Sequence, residues 1–148
     1  MPIEVIRSIF VGAGVLGDYL WMSSQPEFAR ALFIFNDNEE QFDAFVKGEW
    51  SGFAAGGGNA AIRPLRELVP PRAAGVPTGK NGLGYSVLDA STKAKIDEAL
   101  AVVEALLETG GYNQVVIPAS KDGGTLGTGI FDVAREVCDY IFERLVNR

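Results

Sequence analysis

Two glycine-rich stretches hold the residues of this chain best suited to bind an anion. Residues 120–129 contain four glycines, and residues 54–59 contain three in succession. Backbone N–H groups in such loops can converge on a phosphate, and the start of a following helix adds a favourable dipole. Two alternatives to phosphate binding exist. The glycines could serve only to allow backbone conformations with positive φ, and residues 54–59 could be a flexible linker. Because a helical pattern follows each stretch directly, we favour phosphate binding.

A polar triplet offers a second kind of chemistry. Asn36, Asp37 and Asn38 come directly after the apolar run 31–35. Side chains at the carboxyl end of a buried strand can hydrogen-bond a ribose or place a water. The simpler alternative is an Asx turn, in which these side chains bond to their own backbone.

Composition narrows the possible functions. The chain has 148 residues, no histidine, a single cysteine (Cys138) and a net charge of −6. The missing histidine excludes Ser-His-Asp and Cys-His catalysis, and the lone cysteine excludes an internal disulfide and cysteine-based zinc clusters. The negative charge disfavours a broad nucleic-acid surface. No apolar run is long enough to cross a membrane and the first residues make a poor signal peptide, so we predict a cytoplasmic protein without membrane or nucleic-acid partners.

The elements that must position these loops alternate between buried strands and amphipathic helices. Strands are predicted at 3–11, 31–35, 72–78 and 114–119, and helices at 59–68, 91–109 and 130–145. Residues 19–30 predict a short or broken helix, residues 39–50 a short helix or excursion, and residues 79–85 a mobile turn or lid. We expect one domain over 1–148, an α/β fold with a mixed, mostly parallel sheet covered on both faces in a three-layer α/β/α sandwich. Ligands of such sheets gather at the strand carboxyl ends.

Two other interpretations of the chain remain open. Gly12, Gly14 and Gly17 spell a dinucleotide fingerprint after the first strand, with Asp37 where a ribose-binding acid is expected, as in a Rossmann-like NAD-binding protein. Against this interpretation, Pro26 interrupts the helix that should follow. A non-enzymatic interaction module would instead use the phenylalanines, Trp21 and Trp50 as a partner surface, although core packing is the more ordinary explanation of such aromatics.

Taken in order, four segments resemble the macro domain family. They are Gly17-Asp18, Phe35-Asn36-Asp37-Asn38, the run from Gly56 to Ile62, and Gly127-Thr128-Gly129-Ile130-Phe131. The resemblance implies a macro-like α/β/α fold that binds ADP-ribose or a related nucleotide. It also implies that Asp18 contacts adenine and that Asn36 or Asn38 contacts the distal ribose. The implied phosphate-binding residues are Gly56, Gly57, Gly58, Asn59, Gly127, Thr128, Gly129, Ile130 and Phe131. The chemistry of the glycine-rich loop at 120–129 adds Ser120, Gly124 and Thr125 as candidate ligand-binding residues.

Departures from the family pattern favour binding over catalysis. Asn-Asp-Asn replaces the Asn-Ala-Ala-Asn box of many hydrolytic members, the insertion before the glycine triplet is longer, and Asn59 replaces a small apolar residue. If an ADP-ribosyl bond is hydrolysed, Asn36 or Asn38 could place the attacking water, with Asp37 or the substrate's own phosphate as the base. We expect no metal and no cofactor, and the oligomeric state stays open.

Overall fold

The computed structural model describes residues 3–9, 18–48, 58–128 and 132–147, with only the backbone of residues 58 and 59. Four helices, six strands and two 3₁₀ helices follow one another in these ranges. They are β1 (Glu4–Ile9), α1 (Tyr19–Ser23), a 3₁₀ helix (Pro26–Phe28), β2 (Ala31–Asp37), α2 (Glu39–Lys47), a second 3₁₀ helix (Gly58–Glu67), β3 (Ala73–Pro77), β4 (Gly79–Lys80), β5 (Leu83–Gly84), α3 (Ala90–Thr109), β6 (Gln114–Ala119) and α4 (Arg135–Val146).

Four of the strands form one sheet in the order β1-β6-β2-β3, and every neighbouring pair is parallel. Antiparallel pairing within the described residues is limited to the β4–β5 hairpin and one isolated bridge between Ala119 and Leu126. The expected α/β fold with a mostly parallel sheet is therefore confirmed. Parallel strands need crossover connections, which the helices supply.

Apolar side chains cover both faces of the sheet. Leu32 and Ile34 of β2 pack in one buried cluster with residues of α3 and α4, whereas Phe33 and Phe35 pack in a second cluster with Tyr19. Successive side chains of a strand point to opposite faces, so a strand buried on both sides becomes a continuous apolar run. This arrangement is compatible with an α/β sandwich. No helix in the described residues is long and apolar enough to cross a membrane.

Three local predictions differ from the structure. The predicted helix at 59–68 is a 3₁₀ helix with Pro64 inside it, because a proline in a helix interior removes an α-helical hydrogen bond and clashes with the preceding turn. The helix predicted from residue 130 begins only at Arg135; before it, the Ala134 N–H donates to the carbonyl of Tyr85 at 2.8 Å. The predicted turn at 79–85 is a β-hairpin, with Asn81 (φ 54°) and Gly82 (φ 77°) in left-handed conformations.

The hairpin is held against the start of α2. The Asn81 N–H donates to Glu40 Oε1 at 3.1 Å, and the Tyr85 hydroxyl donates to Glu39 Oε2 at 2.6 Å. These bonds place the hairpin beside the carboxyl ends of β2 and β3.

The single cysteine gives a testable consequence of this packing. Cys138 of α4 is buried, and burial raises the pKa of its thiol above the ordinary value. Since the thiolate is the reactive form, we expect folded protein at neutral pH to react with a thiol-labelling reagent far more slowly than urea-unfolded protein. Labelling kinetics followed by mass spectrometry test this, and equal rates in the two states would contradict it.

Candidate functional site

The strands β2 and β6 stop pairing before they end. Their ladder runs from Ala31 opposite Gln114 to Phe33 opposite Val116 and goes no further. By contrast, β2 stays paired with β3 as far as Asp37, and β6 with β1 as far as Ala119. The carboxyl ends of two central strands are therefore not hydrogen-bonded to each other, and this is where ligands of parallel sheets bind.

The glycine-rich loop after β6 fills the space between these strand ends. The Gly127 N–H donates to the carbonyl of Pro118 at 3.2 Å, and the Ser120 N–H donates to the carbonyl of Thr125 at 2.8 Å. Together with the bridge between Ala119 and Leu126, these bonds turn the chain back antiparallel to β6. The loop is thus fixed to the strand that precedes it.

Asn36 joins the loop to the neighbouring strand. Its side-chain Nδ2 donates to the carbonyl of Gly127 at 2.6 Å. A Cβ at position 127 would lie 2.4 Å from the carbonyl oxygen of Ala119, which is backbone and has little room to move. The structure therefore brings together two residues that the sequence predicted to share a site, and only glycine fits at 127.

The first half of the loop is a turn whose backbone N–H groups bond within the loop itself. The N–H groups of Gly123, Gly124 and Thr125 donate to the Ser120 carbonyl, Asp122 Oδ1 and Ser120 Oγ respectively. The Ser120 hydroxyl and the Gly124 N–H also hold the pKa of the Asp122 carboxyl below its ordinary value. Because these N–H groups already have acceptors within the loop, the first half of the loop does not present them to an anion.

Thr125 also makes a side-chain hydrogen bond to α4. Its hydroxyl donates to Asp139 Oδ1 at 2.6 Å, and Arg135 Nε donates to the same oxygen at 2.8 Å. These two donors hold the pKa of Asp139 below its ordinary value. Thr125 thus links the loop to α4 instead of presenting its hydroxyl to a phosphate.

Asp37 points away from Asn36, into a buried ion pair. Its two carboxylate oxygens lie 3.0 Å from Arg63 Nη2 and 3.1 Å from Arg66 Nη1, and its side chain has no exposed area. A Cβ at Gly75 would lie 2.5 Å from Asp37 Oδ2, so the neighbouring strand needs a glycine there. A carboxylate enclosed in this way is shielded from solvent and held by two arginines, which disfavours the predicted role of Asp37 as a base.

Two other predicted site residues act as helix caps. Asp18 Oδ1 accepts from the Trp21 N–H at the start of α1, and Asn38 Oδ1 accepts from the Gln41 N–H at the start of α2, each at 2.8 Å. The side chain of Asn38 therefore bonds to nearby backbone, as in the simpler alternative given for the polar triplet. Next to Asp18, the buried Tyr19 donates its hydroxyl to the carbonyl of Ile34, a contact that the sequence pattern does not signal.

Several predicted site residues are only partly described or not described. Gly58 and Asn59 open the second 3₁₀ helix, and Thr128 is partly buried after the loop. Trp21 is half-buried and packs against the second core cluster. The following residues lie outside the described ranges: Gly12, Gly14, Gly17, Trp50, Gly56, Gly57, Gly129, Ile130 and Phe131.

Comparisons with known proteins and a search for metal-binding residues identify no further feature of the site. Comparison with models of protein families, with curated proteins and with solved structures finds no match to this chain. Among the described residues, no group of three or more cysteine, aspartate or glutamate side chains could hold a metal ion. The class of protein that the structure defines is an α/β protein with a parallel sheet, whose glycine-rich loop lies between the carboxyl ends of two central strands.

Proposed function

We propose that the carboxyl ends of β2 and β6 bind ADP-ribose or a related phosphate-bearing nucleotide, and that the chain is a divergent macro-like domain. The observation that carries this proposal is the hydrogen bond from Asn36 Nδ2 to the carbonyl of Gly127. It joins the end of one central strand to the glycine-rich loop that follows the other. Glycine-rich backbone at such a position suits a phosphate, which does not require a positively charged protein.

In this proposal the phosphate-binding roles are those that the resemblance implies. Residues 127–131 would hold one phosphate and the glycines at 56–58 a second. Asn36 holds the loop at the strand end. Binding is the function proposed, and removal of ADP-ribose from a target by hydrolysis is a further step that would need a base other than Asp37, such as the phosphate of the substrate.

Two observations weigh against the NAD-binding alternative. In a dinucleotide-binding fold the strand before the fingerprint is central, and an acid after the next strand bonds the ribose. Here β1 is the outermost strand of the described sheet, and Asp37 is enclosed by two arginines. Asp37, the acid expected to bond the ribose, is thus already paired with two arginines.

Calorimetric titration of the purified chain with ADP-ribose, NAD and AMP tests the proposal. We expect saturable binding of ADP-ribose in preference to NAD. Asn36→Ala should weaken that binding by about tenfold or more, since one such hydrogen bond is worth roughly 0.5–1.5 kcal/mol and the loop it holds would shift.

Asn38→Ser is the matched control, because the structure uses the Asn38 side chain to cap α2 and assigns it no contact with the described part of the loop after β6. Serine also caps helices, so this variant should leave the affinity unchanged. A preference for NAD, or no heat with any of the three nucleotides, would refute the proposal. An effect of the serine variant equal to that of Asn36→Ala would remove the role assigned to Asn36.

A further inference from the structure

Pro118 lies in a central strand at a position where the ladder needs a donor. The Phe33 N–H donates to the carbonyl of Arg72, on the β3 side, so the N–H and carbonyl of Ile34 turn towards β6. In the register that pairs Phe33 with Val116, the N–H that would reach the Ile34 carbonyl belongs to residue 118. Proline has no N–H, and for this reason it is normally confined to edge strands.

The hydroxyl of Tyr19 supplies the missing donor. It donates to the Ile34 carbonyl at 2.7 Å and lies 3.4 Å from the carbonyl oxygen of Val116. The side chain is buried, and burial raises the pKa of this phenol well above its ordinary value, so the group stays a donor. On the other side of the gap, the Pro118 carbonyl accepts from the Gly127 N–H. The loop has therefore taken the place of β2 beside Pro118.

We infer that Tyr19 and Pro118 act as a pair that ends the β2–β6 ladder and reserves the space between the strands for Gly127. Pro118 prevents the next ladder hydrogen bond, and Tyr19 satisfies the buried carbonyl that this leaves without a ladder donor. Tyr19 is thus a positioning residue for the nucleotide site, a role that rests on the proposed function. The pairing itself does not depend on which ligand binds: Pro118 ends the ladder, and Tyr19 supplies the donor that Pro118 lacks.

A double-mutant cycle of Tyr19→Phe and Pro118→Ala tests the inference. Phenylalanine keeps the edge-to-face contact that the Tyr19 ring makes with Phe33 and removes only the hydroxyl. Alone, it leaves a buried carbonyl without its donor, and we expect the unfolding equilibrium constant to rise by about tenfold or more. In the double variant the backbone N–H gained at position 118 can donate to Ile34, the ladder can continue, and stability should return to within about threefold of the original.

Affinity should separate from stability in the double variant. Closing the ladder displaces Gly127, so we expect ADP-ribose to bind the stable double variant at least about tenfold more weakly than the original chain. Hydrogen exchange gives a readout that needs no ligand, because the new amide at position 118 should be protected in the double variant. If Tyr19→Phe fails to fold, hydrogen exchange can be measured in Pro118→Ala alone. Protection of the amide at position 118 in that variant would show that residue 118 can donate once proline is removed.

The outcomes are distinct. Recovery of both stability and affinity in the double variant would make Tyr19 merely structural and overturn the positioning role. Rapid exchange of the amide at position 118 in both variants that carry it would overturn the pairing itself. If the original chain does not bind ADP-ribose, the proposed function fails, while the exchange and stability measurements still decide whether Tyr19 replaces the missing donor.

Discussion

Replacing Asp37 by asparagine is expected to lower the free energy of unfolding by about 3–5 kcal/mol. The variant keeps the shape of the side chain but removes the negative charge that faces Arg63 and Arg66 in the interior. Removing one partner of a buried ion pair costs far more than the pair contributes, because the remaining charge stays desolvated. Urea unfolding followed by tryptophan fluorescence measures the change.

Asp43→Asn is the matched control for this prediction. Asp43 also pairs with a cation, Lys95, but its side chain is 36% exposed. Exposed ion pairs contribute about 0–1 kcal/mol, so the control should unfold at nearly the original urea concentration. A loss of less than about 1 kcal/mol for Asp37→Asn as well would show that the buried carboxylate does not hold the two arginines in place.

Replacing Gly127 by alanine is expected to disrupt the loop and abolish nucleotide binding together. The new Cβ would lie 2.4 Å from the carbonyl oxygen and 2.8 Å from the carbonyl carbon of Ala119, both of which are backbone atoms. Overpacking of this kind costs about 1–3 kcal/mol, and the hydrogen bonds to Pro118 and Asn36 would shift with it. Thermal unfolding and titration with ADP-ribose measure the two effects.

Gly124→Ala is the control, because its Cβ would lie 3.3 Å from the carboxylate of Asp122, a side chain that can adjust. We expect this variant to keep its stability within about 0.5 kcal/mol, as for ordinary surface changes. If both glycine variants behave alike, the tight approach of Gly127 to Ala119 is not what shapes the loop.

The strands and the long helix could be predicted from periodicity, and their physical reasons are plain. The runs 31–35 and 114–119 are buried on both faces, which leaves a continuous apolar signal. The helix predicted at 91–109 is α3, where Asp89 caps the first turn through the Thr92 N–H. That the polar triplet and the loop after β6 would lie at the same edge of the sheet followed from the rule that parallel strands present their carboxyl ends at one edge.

Contacts between residues far apart in the chain could not be predicted in the same way. Arg63 and Arg66 are spaced for one helix face, but nothing local shows that they meet Asp37. The proline in β6 is compatible with a buried strand only because Tyr19, 99 positions earlier, supplies the hydroxyl. The late start of α4 depends likewise on the backbone bond between Ala134 and Tyr85. In each case tertiary packing decides which of several local options is taken.

The order of strands in the sheet also governs when the protein can fold during synthesis. The described partner of β1 is β6, so Glu4 pairs with a residue 110 positions later in the chain, Gln114. Until β6 leaves the ribosome, β1 lacks the strand with which it pairs in the described residues. Sheets built from such distant pairs form slowly, and an unpaired strand is open to aggregation until its partner has been made.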